Sequence, residues 1–131
     1  MTKRILVVDD NKVNLKLASD LMENQGYQVD RAGSAEAALA AIHENLPDLI
    51  LMDLALPGMD GLSLTRLLKS REATRHVPVV ALTAFAMKRD EERAREAGCD
   101  EYIAKPIDTR KLPGMLAALM SRASAPSAPA S

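Results

Sequence analysis

Apolar residues follow two alternating rhythms along this chain. Short runs at 4–8, 27–31, 48–52, 77–82 and 101–104 are rich in Val, Ile and Leu, several without a polar interruption. That is how strands covered on both faces read. Between them apolar positions recur at three and four, as along one side of a helix. Asn11 is placed to cap a helix reaching about residue 25, with Val13, Leu17 and Leu21 as its inward stripe beside Ala18 and Met22, and Gly26 is placed to end it. Ser34 is placed to cap an Ala-rich helix to about Glu44. A third helix is expected over about 61–73 with Leu64, Leu67 and Leu68 inward, and a fourth over about 87–97 with Met87, Ala94 and Ala97 inward, stopped by Gly98. The last is the most clearly amphipathic, because Leu112, Met115, Leu116, Leu119 and Met120 share one face. Pro113 would clash in the second turn of a helix capped by Asp108, so an irregular turn over 109–112 and a helix starting near Pro113 are expected.

Strict alternation of strand and helix implies an α/β fold: one doubly wound, five-stranded parallel sheet with right-handed crossovers and five helices on its two faces. Functional side chains should then gather beyond the carboxyl ends of the strands. The whole of 1–121 reads as one domain, and 122–131, made only of Ala, Ser and Pro after Arg122, reads as a disordered tail. On this reading no output domain follows residue 121, so output must pass through contacts with another protein or through onward phosphotransfer.

Composition narrows the classes further. The 131 residues carry 17 Lys plus Arg against 18 Asp plus Glu, a net charge of −1, so no field draws the chain to nucleic acid or to an anionic membrane. One Phe, two Tyr and no Trp leave little for base stacking. The lone Cys99 cannot form an internal disulfide, and no apolar run approaches the roughly 18 residues of a membrane span. A cytoplasmic protein is expected, with Cys99 as a small buried hydrophobe.

The strand ends carry the chemistry. The first strand ends in Asp9 and Asp10, the third in Asp53, the fourth in Thr83 and the fifth in Lys105. Three carboxylates converging in this way repel one another unless bridged by a cation, and Mg²⁺ is the hard ion that suits oxygen ligands and water. An acidic trio with a metal, a hydroxyl donor and an ammonium group can hold a phosphoryl group against a carboxylate. The expected chemistry is phosphoryl transfer to Asp53. Singly, an Asp pair after a strand is a helix cap, Thr83 a cap and Lys105 a surface charge; their joint occurrence at four strand ends favours the site.

The strings ILVVDDNKVN, LILMDLALPGMDG, VVALTAF and YIAKPID resemble the receiver domain of two-component response regulators, including single-domain members of the chemotaxis and cell-cycle type. The resemblance covers about 3–121. It implies a flavodoxin-like sheet of order 2-1-3-4-5, with Asp53 as phosphoacceptor. It further implies Mg²⁺ held by Asp10, Asp53 and the Ala55 carbonyl, with Asp9 acting through water. Thr83 and Lys105 would contact the phosphoryl oxygens, and Thr83 and Tyr102 would form the switch pair. The implied partners are a sensor histidine kinase or histidine phosphotransfer protein and an unknown downstream protein. A homodimer through the face of the fourth helix, fifth strand and fifth helix is a further expectation. The resemblance implies no turnover enzyme, only slow hydrolysis of the acyl phosphate by the domain itself.

Other readings of the residues fit less well. A flavodoxin-like electron carrier needs a phosphate cradle where Asp9 and Asp10 would repel it, and no Gly-x-Gly-x-x-Gly or Walker loop is present. A phosphatase of the haloacid-dehalogenase type carries its Asp nucleophile after the first strand rather than the third. An unphosphorylated module of this fold would not need the complete acidic set. His43 and His76 lack partners for catalysis. Leu15, left outside the Val13, Leu17 and Leu21 stripe, is expected to be exposed on the rim of the acidic site and to dock the phosphodonor.

Overall fold

The computed structural model describes residues 3–54, 61–83, 88–104 and 110–123. Ala55, Met87, Lys105 and nearly all of the expected tail at 122–131 lie outside them, as does the side chain of Thr83. Five strands, β1 (Arg4–Val8), β2 (Gln28–Ala32), β3 (Leu49–Asp53), β4 (Val79–Thr83) and β5 (Glu101–Ala104), alternate with five helices. These are α1 (Lys12–Asn24), α2 (Ala35–Glu44), α3 (Gly61–Ser70), α4 (Lys88–Ala97) and α5 (Leu112–Ala123). The strands pair in parallel in the order β2-β1-β3-β4-β5.

Alternation of side chains across the pleat divides the core in two. Leu6, Val8, Ile50, Met52, Val79 and Ala81 face α2, α3 and α4, where Ala38, Leu64, Leu68, Ala94 and Ala97 are buried. Ile5, Val7, Leu49, Leu51, Val80 and Leu82 face α1 and α5, which contribute Ala18, Met22, Leu112, Leu116, Leu119 and Met120. The central strands are therefore apolar up to their ends, where Arg4 opens β1 and Asp53 and Thr83 close β3 and β4, since neither face meets water along their length.

Local signals set most boundaries. The Asn11 carboxamide oxygen accepts from the backbone N–H of Val13 and Asn14 at 2.9 and 3.1 Å, and the Ser34 hydroxyl accepts from Ala37 N–H at 3.1 Å. Gly26 and Gly98 stop α1 and α4 at φ 93° and 106°. In both, the next residue's N–H reaches back to the helix, Tyr27 to the Met22 carbonyl and Cys99 to the Ala94 carbonyl. α3 ends at Ser70, short of 73, because the Thr74 hydroxyl takes the Leu68 carbonyl at 2.6 Å and the chain turns there. Pro113 sits in the first turn of α5, where its missing N–H costs nothing, and the helix runs past Ser121 to Ala123.

α1 corrects the expected stripe. Val13 and Leu17 are 66% and 63% exposed, while Ala18, Ser19 and Met22 are buried and Leu15 packs half-buried against the second core cluster. Ala18 and Ser19 allow the helix to approach β1 closely. Burial of Ser19 is compatible with this because its hydroxyl donates to the Leu15 carbonyl at 2.6 Å.

Candidate functional site

Asp9 and Asp10 leave β1 where the Asp9 N–H still bonds the Ala32 carbonyl of β2 at 3.0 Å. Asp53 is the last residue of β3 rather than the residue after it, paired with Leu82 of β4. Two neighbouring strands, β1 and β3, thus bring three carboxylates to one edge of the sheet. One ligand oxygen from each of Asp9, Asp10 and Asp53 lies within 4.8 Å of the other two. Asp9 is 2% and Asp53 6% exposed, whereas Asp10 is open to solvent. Asp9 also accepts the Asn11 N–H at 2.9 Å, which ties the trio to the cap of α1.

The donor set fits a hard divalent cation. All three side chains are carboxylates, two are withdrawn from bulk water, and the exposed Asp10 leaves room for the waters that Mg²⁺ retains. Among the described residues this is the site at which carboxylates converge in this way.

Thr83 ends β4 in register with Ala104 of β5, so the backbone of both residues lies at the same edge as Asp53. Lys105, the Ala55 carbonyl and the Thr83 side chain lie outside the described residues. Tyr102 is half-buried against the first core cluster, opposite Ala81, whose methyl is the smallest side chain β4 presents on that face. Leu15 is half-buried rather than exposed as expected, and the exposed apolar side chains of α1 are Val13 and Leu17. Ala18, Ser19 and Met22, small or flexible residues three and four apart, were the signal that could have identified the buried face.

Among the described residues no helix is long and apolar enough to cross a membrane. The response regulator receiver domain family matches residues 5–117. The polar-differentiation response regulator DivK of Brucella ovis is 53% identical over 107 residues, covering 82% of this chain and 87% of that protein. The DivK of Brucella anthropi is 50% identical over the same span of 107 residues. Among solved structures, the receiver domain of a signal transduction histidine kinase from Syntrophus aciditrophicus superposes with a TM-score of 0.88 at 31% identity, covering 97% of this chain and 96% of that one. The receiver domain of a sensor histidine kinase from Pseudomonas aeruginosa PAO1 superposes with a TM-score of 0.84 at 35% identity, over 92% of this chain and 99% of that one. In that structure a magnesium ion is coordinated in the active-site cleft.

Proposed function

Because the chain belongs to the response regulator receiver family, we propose that it accepts a phosphoryl group on Asp53 from a sensor histidine kinase or histidine phosphotransfer protein. The observation that carries this reading is the position of the Asp53 carboxylate, withdrawn from water yet within 4.8 Å of two further carboxylates. Asp9, Asp10, Asp53 and the backbone carbonyl of Ala55 are the proposed Mg²⁺ ligands, Asp9 through water. When bound, Mg²⁺ neutralises charge on the trio and on the phosphoryl oxygens.

The residues of the chain then divide the work. A carboxylate oxygen of Asp53 attacks phosphorus, and the bond from phosphorus to the donor imidazole nitrogen breaks with its electron pair going to the imidazole. Burial of Asp53 limits the water that could compete. The Thr83 hydroxyl and Lys105 ammonium are assigned to the phosphoryl oxygens, and Thr83 with Tyr102 is assigned the switch. The domain assists its own phosphorylation and slow dephosphorylation, and is not a turnover enzyme.

Docking is assigned to Val13 and Leu17 in place of Leu15, since α1 starts beside Asp10 and exposes these two side chains. The proposed outputs are contacts with a downstream protein and a homodimer through α4, β5 and α5. The proposed compartment is the cytoplasm, in keeping with Cys99 as a free thiol.

Incubation with acetyl phosphate and Mg²⁺, read by intact mass, tests the acceptor. One phosphoryl group should be gained. Asp53→Asn, which keeps the shape and loses the nucleophile, should gain none; full labelling of that variant would rule Asp53 out.

A further inference from the structure

Gly61 opens α3 and is buried against the strand end that carries the proposed acceptor. A Cβ at this position would stand 2.7 Å from the Asp53 carbonyl oxygen, 2.9 Å from Leu54 Cα and 3.2 Å from Leu54 Cδ2. The first two distances are shorter than real Cβ contacts, and both atoms are backbone, so neither can rotate aside. The demand is for space rather than for an unusual conformation, since the positive-φ glycines of the described chain are Gly26 and Gly98. By contrast, a Cβ at Gly33 or Gly114 would meet nothing within 4 Å.

The surrounding hydrogen bonds hold this close approach. Gly61 N–H donates to the Leu54 carbonyl at 3.3 Å, and Leu54 N–H donates to the Leu82 carbonyl of β4 at 3.1 Å. The residue after Asp53 is therefore gripped from α3 on one side and β4 on the other. The Thr65 hydroxyl donates to the Gly61 carbonyl at 2.7 Å and lies 3.8 Å from the sulfur of Met52, the residue before Asp53. The first turn of α3 is a platform for residues 52–54.

We infer that Gly61 is a positioning residue: its missing side chain lets α3 seat directly on the Asp53 backbone and sets where the Asp53 carboxylate stands in the acidic trio. The inference rests on the reading of Asp53 as the acceptor. A metal held by three oxygens tolerates little displacement of one of them, because near-ideal octahedral geometry is what Mg²⁺ demands. Adding one methyl at residue 61 forces either Asp53 or α3 to move. β3 is paired on both edges, with β1 and β4, and the polar grip on Leu54 links the two movements.

The experiment compares Gly61→Ala with Gly114→Ala, which adds the same methyl in open space, and with Leu68→Ala, which loosens α3 about two turns beyond Gly61. Each is read by thermal unfolding, by calorimetric titration with Mg²⁺ alone, and by acetyl phosphate labelling rate. Wild type is run first: failure to label there overturns the acceptor reading itself. With wild type labelled, Gly61→Ala, measured where it is fully folded, should bind Mg²⁺ about tenfold more weakly, the size of effect seen when groups that orient metal ligands are lost, and should label more slowly. Gly114→Ala and Leu68→Ala should keep wild-type Mg²⁺ affinity whatever stability they lose. Unchanged affinity in Gly61→Ala, or an equal loss in Leu68→Ala, overturns the inference while leaving the acceptor in place. Should Gly61→Ala not fold, Thr65→Val decides. It keeps the shape and removes the hydroxyl that holds the Gly61 carbonyl, and it should weaken Mg²⁺ binding by about threefold, a milder form of the same loss of ligand orientation; an unchanged affinity there refutes the role.

Discussion

α4 and α5 flank β5 from opposite faces of the sheet and are held in very different ways. α5 buries Leu112, Leu116, Leu119 and Met120 against β1, β3 and β4. Of the described side chains of α4, only Ala94 and Ala97 are buried. A buried Leu contributes about 1.5–3 kcal/mol and a single methyl under about 1 kcal/mol, so apolar burial holds α5 several times more firmly. α4 is fixed instead at its carboxyl end. There Gly98 lies over the aliphatic stem of Lys69, and the Lys69 ammonium donates to the Val77 carbonyl at 2.8 Å and to Asp100 at 2.9 Å. The same Asp100 carboxylate accepts Val79 N–H at 2.8 Å. A helix tethered at one end and lightly packed along its length belongs to the low-stability part of a fold, from which moving elements are drawn.

The largest test of this contrast is mutational. Leu116→Ala, at a fully buried position in α5, should cost about 2–5 kcal/mol by denaturant unfolding, the range for emptying a core site. Ala94→Gly in α4 should cost only about 1 kcal/mol, most of it helix propensity. Equal losses would mean that α4 is held as firmly as α5.

Hydrogen exchange sharpens the same contrast without altering the core. Amides of 91–97 in α4 should exchange at least about a hundredfold faster than those of 115–121 in α5, a gap of about 2.7 kcal/mol in opening free energy. With beryllofluoride and Mg²⁺ as a phosphoryl mimic, the largest change should fall between 84 and 102. A ligand shifts an equilibrium only by its differential contact with the two states, so Thr83→Ala should still be labelled on Asp53 yet show a smaller change. A response confined to α1 would contradict the assignment of the switch to Thr83 and Tyr102.

How much of this was legible in the sequence depended on whether a local signal had a competitor. Asn11, Ser34, Gly26 and Gly98 act within a few residues of themselves, and the elements they bound lie where their chemistry predicts. The parallel sheet and the gathering of Asp9, Asp10 and Asp53 follow from strict alternation and from the strand ends, whereas the strand order was implied by the family resemblance. α1 was different. Val13, Leu15, Leu17, Ala18, Leu21 and Met22 offer two apolar stripes, and periodicity alone does not choose between them. Close approach to the sheet chose the side with Ala18 and Ser19, which turned Val13 and Leu17 outward. Gly61 was legible only as a helix start, because its distance from the Asp53 backbone depends on how α3 docks on β3.

The smallest effect concerns the residue that follows the α4 stop. Cys99 is buried in the first core cluster, its thiol 3.8 Å from the Thr65 hydroxyl. Burial raises the thiol above its ordinary value of 9.0; the Thr65 hydrogen bond lowers it, the Asp100 charge adds to the rise and Lys69 opposes it. The unfolded chain thus gives up this proton at lower pH than the folded one. Stability from the buried neutral thiol is fully present below about pH 9 and is lost as pH rises through the folded value, by at most about 1.4 kcal/mol per pH unit. Lys and Tyr titrate in the same range, so the measurement is a difference: unfolding free energies of wild type and Cys99→Ala between about pH 7 and 10.5, which brackets those groups. The two curves should run parallel at the neutral end and converge or cross at the alkaline end, as wild type alone loses the thiol contribution. Curves that stay parallel throughout would mean that the carboxyl end of α4 opens readily enough for Cys99 to titrate as in the unfolded chain, and the tether at that end would then be far weaker than its hydrogen bonds suggest.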